Sequence, residues 1–217
     1  MKKFTLLLAM TIFSTMAFGS IDVQRRDMKL ASQVLIEKQS IDNAVIALTT
    51  RLTTDQAVNS VAAVTITTFT ANADVPRNIT VTTGGTTADC KAANVTVTGT
   101  NFFGQTITDT LAITDNQNGT TSGTKAFASV TSVLIPAQDG DACVYDVGVG
   151  DVLGLKRCMD FAGHVVMAVF DGVYEATRAT CVADADEIEK NTCDINGTLN
   201  GAKDIELYFY QNFRCLP

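Results

Sequence analysis

From Ala63 to Ile113 the chain alternates apolar residues with threonine, and this two-residue period constrains the fold more than any other feature. The runs Ala63-Val-Thr-Ile-Thr-Thr-Phe69, Asn78-Ile-Thr-Val-Thr-Thr83, Asn94-Val-Thr-Val-Thr-Gly99 and Gln105-Thr-Ile-Thr-Asp-Thr-Leu-Ala-Ile113 each present one apolar and one polar row. Successive side chains of a strand point to opposite faces, so each run buries one row and leaves the other towards water. Turn signals fall between them at Gly84-Gly85, at Asn101 to Gly104 and at Asp115-Asn-Gln-Asn-Gly119. That spacing suits consecutive antiparallel hairpins of a sandwich. Apolar runs at Ser129 to Ile135, Cys143 to Val149, His164 to Phe170 and Ile205 to Tyr210 continue the strand-rich reading. Gly148 to Leu155 reads as a glycine-rich turn joining two sections, 59–157 and 158–217. No Pro/Ser linker separates them, which leaves room for a shared core.

Before the alternation begins, the period changes. Residues 28–55 lack Gly and Pro and place Val34, Ile41, Val45, Leu48 and Leu52 at steps of seven, four, three and four. This spacing predicts an amphipathic helix within the segment 20–58. The stripe has coiled-coil spacing with Lys38 in its seam, so the helix either oligomerises the chain or packs on its own β body. The expected fold is therefore mainly β: an antiparallel β-sandwich-like body with an N-terminal amphipathic α-helix. Residues 1–19 carry Lys2 and Lys3, an apolar stretch from Phe4 to Phe18, and Ala17-Phe18-Gly19. This is the order of a secretory signal peptide, and the run is short for a membrane span. If the segment is retained, it is the only expected point of membrane contact.

Composition narrows the function classes. With 46% hydrophobic and 18% charged residues, the 217-residue chain has what a folded core requires. Its net charge of −7 argues against nucleic acid as a partner, because phosphate binding calls for a basic patch and Arg25-Arg26 runs straight into Asp27. Six cysteines, Cys90, Cys143, Cys158, Cys181, Cys193 and Cys215, contain no CxxC pair. They read as structural disulfides of an oxidising compartment, with the pairing left open.

No run of residues assembles a catalytic centre, and neither a cofactor nor a resident metal is expected. A Ser-His or Cys-His nucleophile pair would have to use His164, the one histidine, which sits in a strand-like run. Asp139-Gly-Asp141 and Asp184-Ala-Asp186-Glu187-Ile-Glu189 offer hard oxygen atoms suited to Ca²⁺, yet they do not match the EF-hand spacing and read as turn acids. Gly148-Val-Gly-Asp-Val-Leu-Gly154 lacks the Lys-Ser/Thr of a phosphate loop. Asn78, Asn94, Asn118 and Asn196 begin Asn-x-Thr triplets, which threonine-rich turns generate by chance.

Several segments taken in order resemble structural proteins of tailed-phage virions. They are Val75-Pro-Arg-Asn-Ile-Thr-Val81, Val95-Thr-Val-Thr-Gly-Thr-Asn101 with Gly104-Gln-Thr-Ile-Thr-Asp-Thr110, and Gly123-Thr-Lys-Ala-Phe127 with Val130-Thr-Ser-Val-Leu-Ile-Pro136. Val147-Gly-Val-Gly-Asp-Val-Leu-Gly-Leu155, Glu175-Ala-Thr177 and Asn191-Thr-Cys-Asp-Ile-Asn-Gly-Thr-Leu-Asn-Gly201 follow. The resemblance covers roughly residues 60–212. It implies a head decoration, cement or fibre-like protein that contacts copies of itself and other virion subunits, with no catalytic site to carry over. The cysteines and the signal-like start depart from that pattern and suit an exported filament or surface-coat subunit, located outside the cell.

Overall fold

The structure, a computed structural model, describes residues 36–210. The chain divides into a segment Met1–Ile36 and a compact unit Glu37–Pro217. The strands are β1 (Ile36–Ile41), β2 (Leu48–Ala57), β3 (Val64–Ile66), β4 (Arg77–Gly85), β5 (Ala93–Thr100), β6 (Thr106–Ile113) and β7 (Gly119–Phe127). They continue as β8 (Ser129–Ile135), β9 (Cys143–Gly154), β10 (Val165–Phe170), β11 (Val173–Tyr174), β12 (Thr180–Val182), β13 (Thr192–Asp194) and β14 (Ile205–Tyr210). Three short 3-10 turns are the only helical elements among the described residues.

Two sheets make the sandwich foreseen from the alternation. One has the order β3-β8-β5-β6, and the other β12-β13-β9-β4-β7, with β2 also paired to β9. The threonine-rich strands β4, β5 and β6 turn Ile79, Val81, Val95, Val97, Ile107 and Leu111 inward to meet Phe127, Val133, Tyr145 and Val147. Consecutive strands swap sheets, since β5 and β6 form a hairpin in one while β7 returns to pair with β4 in the other. A third sheet, β1-β14-β10-β11, closes a second core built from Ile41, Leu153, Leu155, Met159, Val165, Ile205, Leu207 and Phe209.

Gly148 to Leu155 is not a turn: through Gly154 it is the second half of β9, and that strand lines both cores. The glycines that suggested a turn are instead places where other chain segments press close. A Cβ on Gly148 would lie 2.0 Å from the Leu48 carbonyl oxygen, and one on Gly150 would lie 2.3 Å from Asn78 Oδ1. Only a residue without Cβ admits such an approach.

Over residues 36–55, the described part of the helix expected at 28–55, the chain is not helical. From residue 36 onward the segment is β1, a loop and β2; Val34 and the rest of 28–35 lie outside the described residues, as does the segment 1–19. The β2 register advances from Leu48↔Val149 to Thr53↔Val147, five residues against two, so β2 bulges over β9. A bulge breaks the strict parity of a strand. The bulge accounts for the step of four from Leu48 to Leu52, and the β1–β2 loop for those from Ile41 to Val45 and Leu48, and together they mimic a helical stripe. Left-handed backbone at Asn43 and Asp55, residue types that tolerate it, also interrupts the stretch.

Candidate functional site

Of the five residues expected to form an oligomerising stripe, the four described ones do not share a face. Ile41 is buried in the second core and Leu52 in the first, while Val45 is half-buried in the β1–β2 loop and Leu48 is exposed. Val34 is among the undescribed residues. The structure instead concentrates tyrosine on the outward side of the third sheet. Ile205, Leu207 and Phe209 of β14 point into the core, so Glu206, Tyr208 and Tyr210 point away from it. Register places Met167 opposite Tyr208 and Val169 opposite both Glu206 and Tyr174. Three of the chain's four tyrosines thus lie on one face. Lys38 crosses it to Glu206 at 2.7 Å, and Glu206 also accepts from the Tyr208 hydroxyl at 2.7 Å. Those two bonds hold the Glu206 carboxyl below its ordinary range, and the same contact raises the Lys38 ammonium and the Tyr208 phenol.

His164 closes the end of this sheet as an aromatic. Its ring centroid lies 3.9 Å from that of Phe161 and 6.0 Å from that of Tyr210, and Nδ1 is buried without a hydrogen-bond partner. It ends a 3-10 turn and does not begin β10.

Disulfides join Cys90 to Cys143 and Cys181 to Cys193. The first ties the β4–β5 connection to the start of β9 across a sequence separation of 53; the second links directly opposed residues of β12 and β13. By the loop-closure argument these crosslinks stabilise by roughly 4 and 3 kcal/mol. Cys158 is disulfide-bonded as well. Cys215 lies outside the described residues. Bonds of this kind persist in an oxidising, extracellular or secretory setting.

The turn acids are committed to the chain's own backbone and lysines. Asp184 Oδ1 accepts the amides of Glu187 and Asp186 at 2.8 and 2.9 Å, and these bonds lower its carboxyl below the usual range. Asp141 receives the Ser60 amide, and Asp139 lies 3.7 Å from Lys91. Among the described residues no cluster of three or more His, Cys, Asp or Glu side chains is placed to hold a metal ion. Asp151 and Asp194 line an open cleft of about 180 Å³ with Ile46, Ile195 and Leu199. Burial first, then the neighbouring Asp151 and Glu175, raise the Asp194 carboxyl.

A buried polar array connects the β5–β6 turn, β7 and the 3-10 turn Ile188–Lys190. Asn101 Nδ2 donates to Glu189 Oε2 at 3.3 Å, and Lys125 Nζ donates to Glu189 Oε1 at 3.3 Å. Asn101 Oδ1 accepts the backbone N–H groups of Phe103 and Gln105, each at 3.0 Å. Glu187 also lies 3.3 Å from Lys125, on the exposed side of the array, and pairs with Lys190 at 2.7 Å. The sequence marks Glu189 only as one of several acids, and no spacing links it to Asn101 or Lys125, because the sandwich brings together residues far apart in the chain.

No protein-family model matches this chain, and neither curated proteins nor solved structures contain a match to it.

Proposed function

We propose that this chain is a non-enzymatic structural subunit of an extracellular particle, and that the particle is a tailed-phage virion which it decorates or cements. The observation that carries the reading is the outward face of the third sheet. Tyr174, Tyr208 and Tyr210 with Met167 and Val169 make a broad amphipathic surface around one ion pair. Tyrosine supplies large contact area with few rotatable bonds and a polar tip, and it is enriched where proteins meet. Disulfide-tied sheets and threonine-rich outer rows suit a body exposed to proteases. The ordered segments that resemble virion proteins favour a phage particle over other assemblies.

An exported filament or coat subunit is the second reading, favoured by the signal-like residues 1–19 together with the disulfides. Peptide mass spectrometry of purified particles from the source culture separates the two. A virion subunit is found in density-banded phage with its Met1 region intact. A coat subunit is found on cells, with a mature chain starting near Ser20. Light scattering of the purified chain tests the surface itself: Tyr208→Asp should abolish self-association while leaving the far-ultraviolet spectrum unchanged. An oligomer unaffected by Tyr208→Asp would remove the tyrosine face from the argument.

A further inference from the structure

We propose that Lys125 and Asn101 join covalently, through an isopeptide bond that the folded chain forms by itself with Glu189 as proton carrier. The array gathers an amine, a side-chain amide and a carboxylate that both nitrogens bond at 3.3 Å, the groups that acyl transfer to an amine uses. The electrophile is the Asn101 side-chain amide, 2% exposed, whose oxygen receives two backbone N–H groups at 3.0 Å. Two such donors stabilise the oxyanion that forms when the carbon becomes tetrahedral. The nucleophile is the Lys125 amine. Glu189, itself 8% exposed, faces the attacking nitrogen with one oxygen and the departing nitrogen with the other.

Simpler roles leave part of this geometry unexplained. An ion pair between Lys125 and Glu189 would not need the amide of a distant turn. A turn-closing asparagine would need only the Phe103 and Gln105 amides and the Gln105 Oε1 that its Nδ2 meets at 3.0 Å, not a buried carboxylate against the same Nδ2. Placing one carboxylate between an amine and an amide in a site largely closed to water favours proton transfer between them.

The steps balance without oxidant or cofactor. Glu189 takes a proton from the Lys125 ammonium, and the free amine adds to Asn101 Cγ, placing negative charge on Oδ1. Glu189 returns the proton to Nδ2, the Cγ–Nδ2 bond breaks and ammonia departs. The new amide nitrogen loses its extra proton to that ammonia, which leaves as ammonium. One C–N bond forms and one breaks. The product staples the β5–β6 turn to β7, and hence one sheet of the sandwich to the other.

The test is the intact mass of the full chain, reduced and denatured, followed by peptide mapping. The expected result is a mass about 17 Da below that of the observed chain ends, one ammonia lost. A branched peptide should join the Asn101 and Lys125 segments. Lys125→Arg and Glu189→Gln should restore the full mass, whereas Glu187→Gln, which removes the outer ion pairs to Lys125 and Lys190, should still show the loss. A wild-type chain at full mass overturns the proposal. So does a loss that persists in Lys125→Arg or maps to Asn118-Gly119, Asn196-Gly197 or Asn200-Gly201, where succinimide formation also expels ammonia. Should the variants fail to fold, the wild-type peptide map decides alone.

Discussion

Asp74 and Arg77 grip the same residue from two sides: Asp74 Oδ2 accepts the Val45 N–H at 2.7 Å, and Arg77 donates to the Val45 carbonyl at 2.8 Å. Arg77 is fully buried and reaches Asp74 at 3.1 Å and the Gly150 carbonyl as well. The β1–β2 loop, β4 and β9 meet at this one guanidinium. Burial acts to raise the Asp74 carboxyl, but the Val45 amide and Arg77 outweigh it and hold it below its ordinary value.

Removing one partner leaves the other charge buried without compensation. Arg77→Met should cost about 3 kcal/mol or more in urea denaturation at neutral pH. Because the folded Asp74 pKa is depressed, its contribution is complete above the unfolded value, near 4, and is lost as pH falls through the lower folded value. Asp74→Asn should therefore lower stability at pH 7 and flatten the acid limb of the stability profile.

Tyr145 carries the opposite sign. Its hydroxyl lies in the first core without a hydrogen-bond partner, and burial pushes its pKa up to about 12. A raised folded pKa keeps its contribution intact below the unfolded value near 10 and loses it between pH 10 and 12, a fall of roughly 2 to 3 kcal/mol. Tyr145→Phe should be neutral or stabilising by about 1 kcal/mol at pH 7 and should reduce the alkaline loss. Chemical denaturation at pH 8 and pH 11 measures both effects.

Asn191 satisfies its whole side chain against backbone. Oδ1 accepts the amides of Met159 and Asp184, and Nδ2 donates to the carbonyls of Asp184 and Glu187. Asn191→Ala removes all four bonds, leaving the buried Met159 amide and the half-buried Asp184 amide and carbonyl without this partner, and should cost on the order of 3 kcal/mol. Asn191→Asp should be no milder, since an acceptor would then face two carbonyls. Thermal unfolding of both variants checks this.

The two assigned disulfides should differ in effect. Cys90→Ser/Cys143→Ser should lose about 4 kcal/mol and Cys181→Ser/Cys193→Ser about 3 kcal/mol, because the first closes the longer loop. Guanidinium denaturation of each double variant gives the comparison.

Strands with a clean apolar row were legible in the sequence: β4, β5, β6, β8 and β14 lie where the alternation put them. β7 was not, because Gly119-Thr-Thr-Ser-Gly-Thr-Lys is an edge strand with little to bury and a register shift around Gly123. There Asp109 reaches across from β6 to accept the amides of Thr124 and Lys125. β1 and β2 were misread because the loop between them and the bulge in β2 place apolar residues three and four apart, as a helix does. The candidate site was the least legible part. Alternation shows that Tyr208 and Tyr210 share a face, but only the β10–β14 and β10–β11 registers bring Met167, Val169 and Tyr174 beside them. Nor does any local pattern show that Asn101, Lys125 and Glu189 meet.

β9 contributes Val147 and Val149 to the first core and Leu153 to the second. One continuous strand is thus a wall of both, and neither half has a complete interior without it. The two halves should melt in a single transition, and limited proteolysis should yield no stable half. Swapping either half between related proteins would fail unless β9 travelled with its partners on both sides, so the unit that can be inherited or engineered is the whole body and not its visible sections.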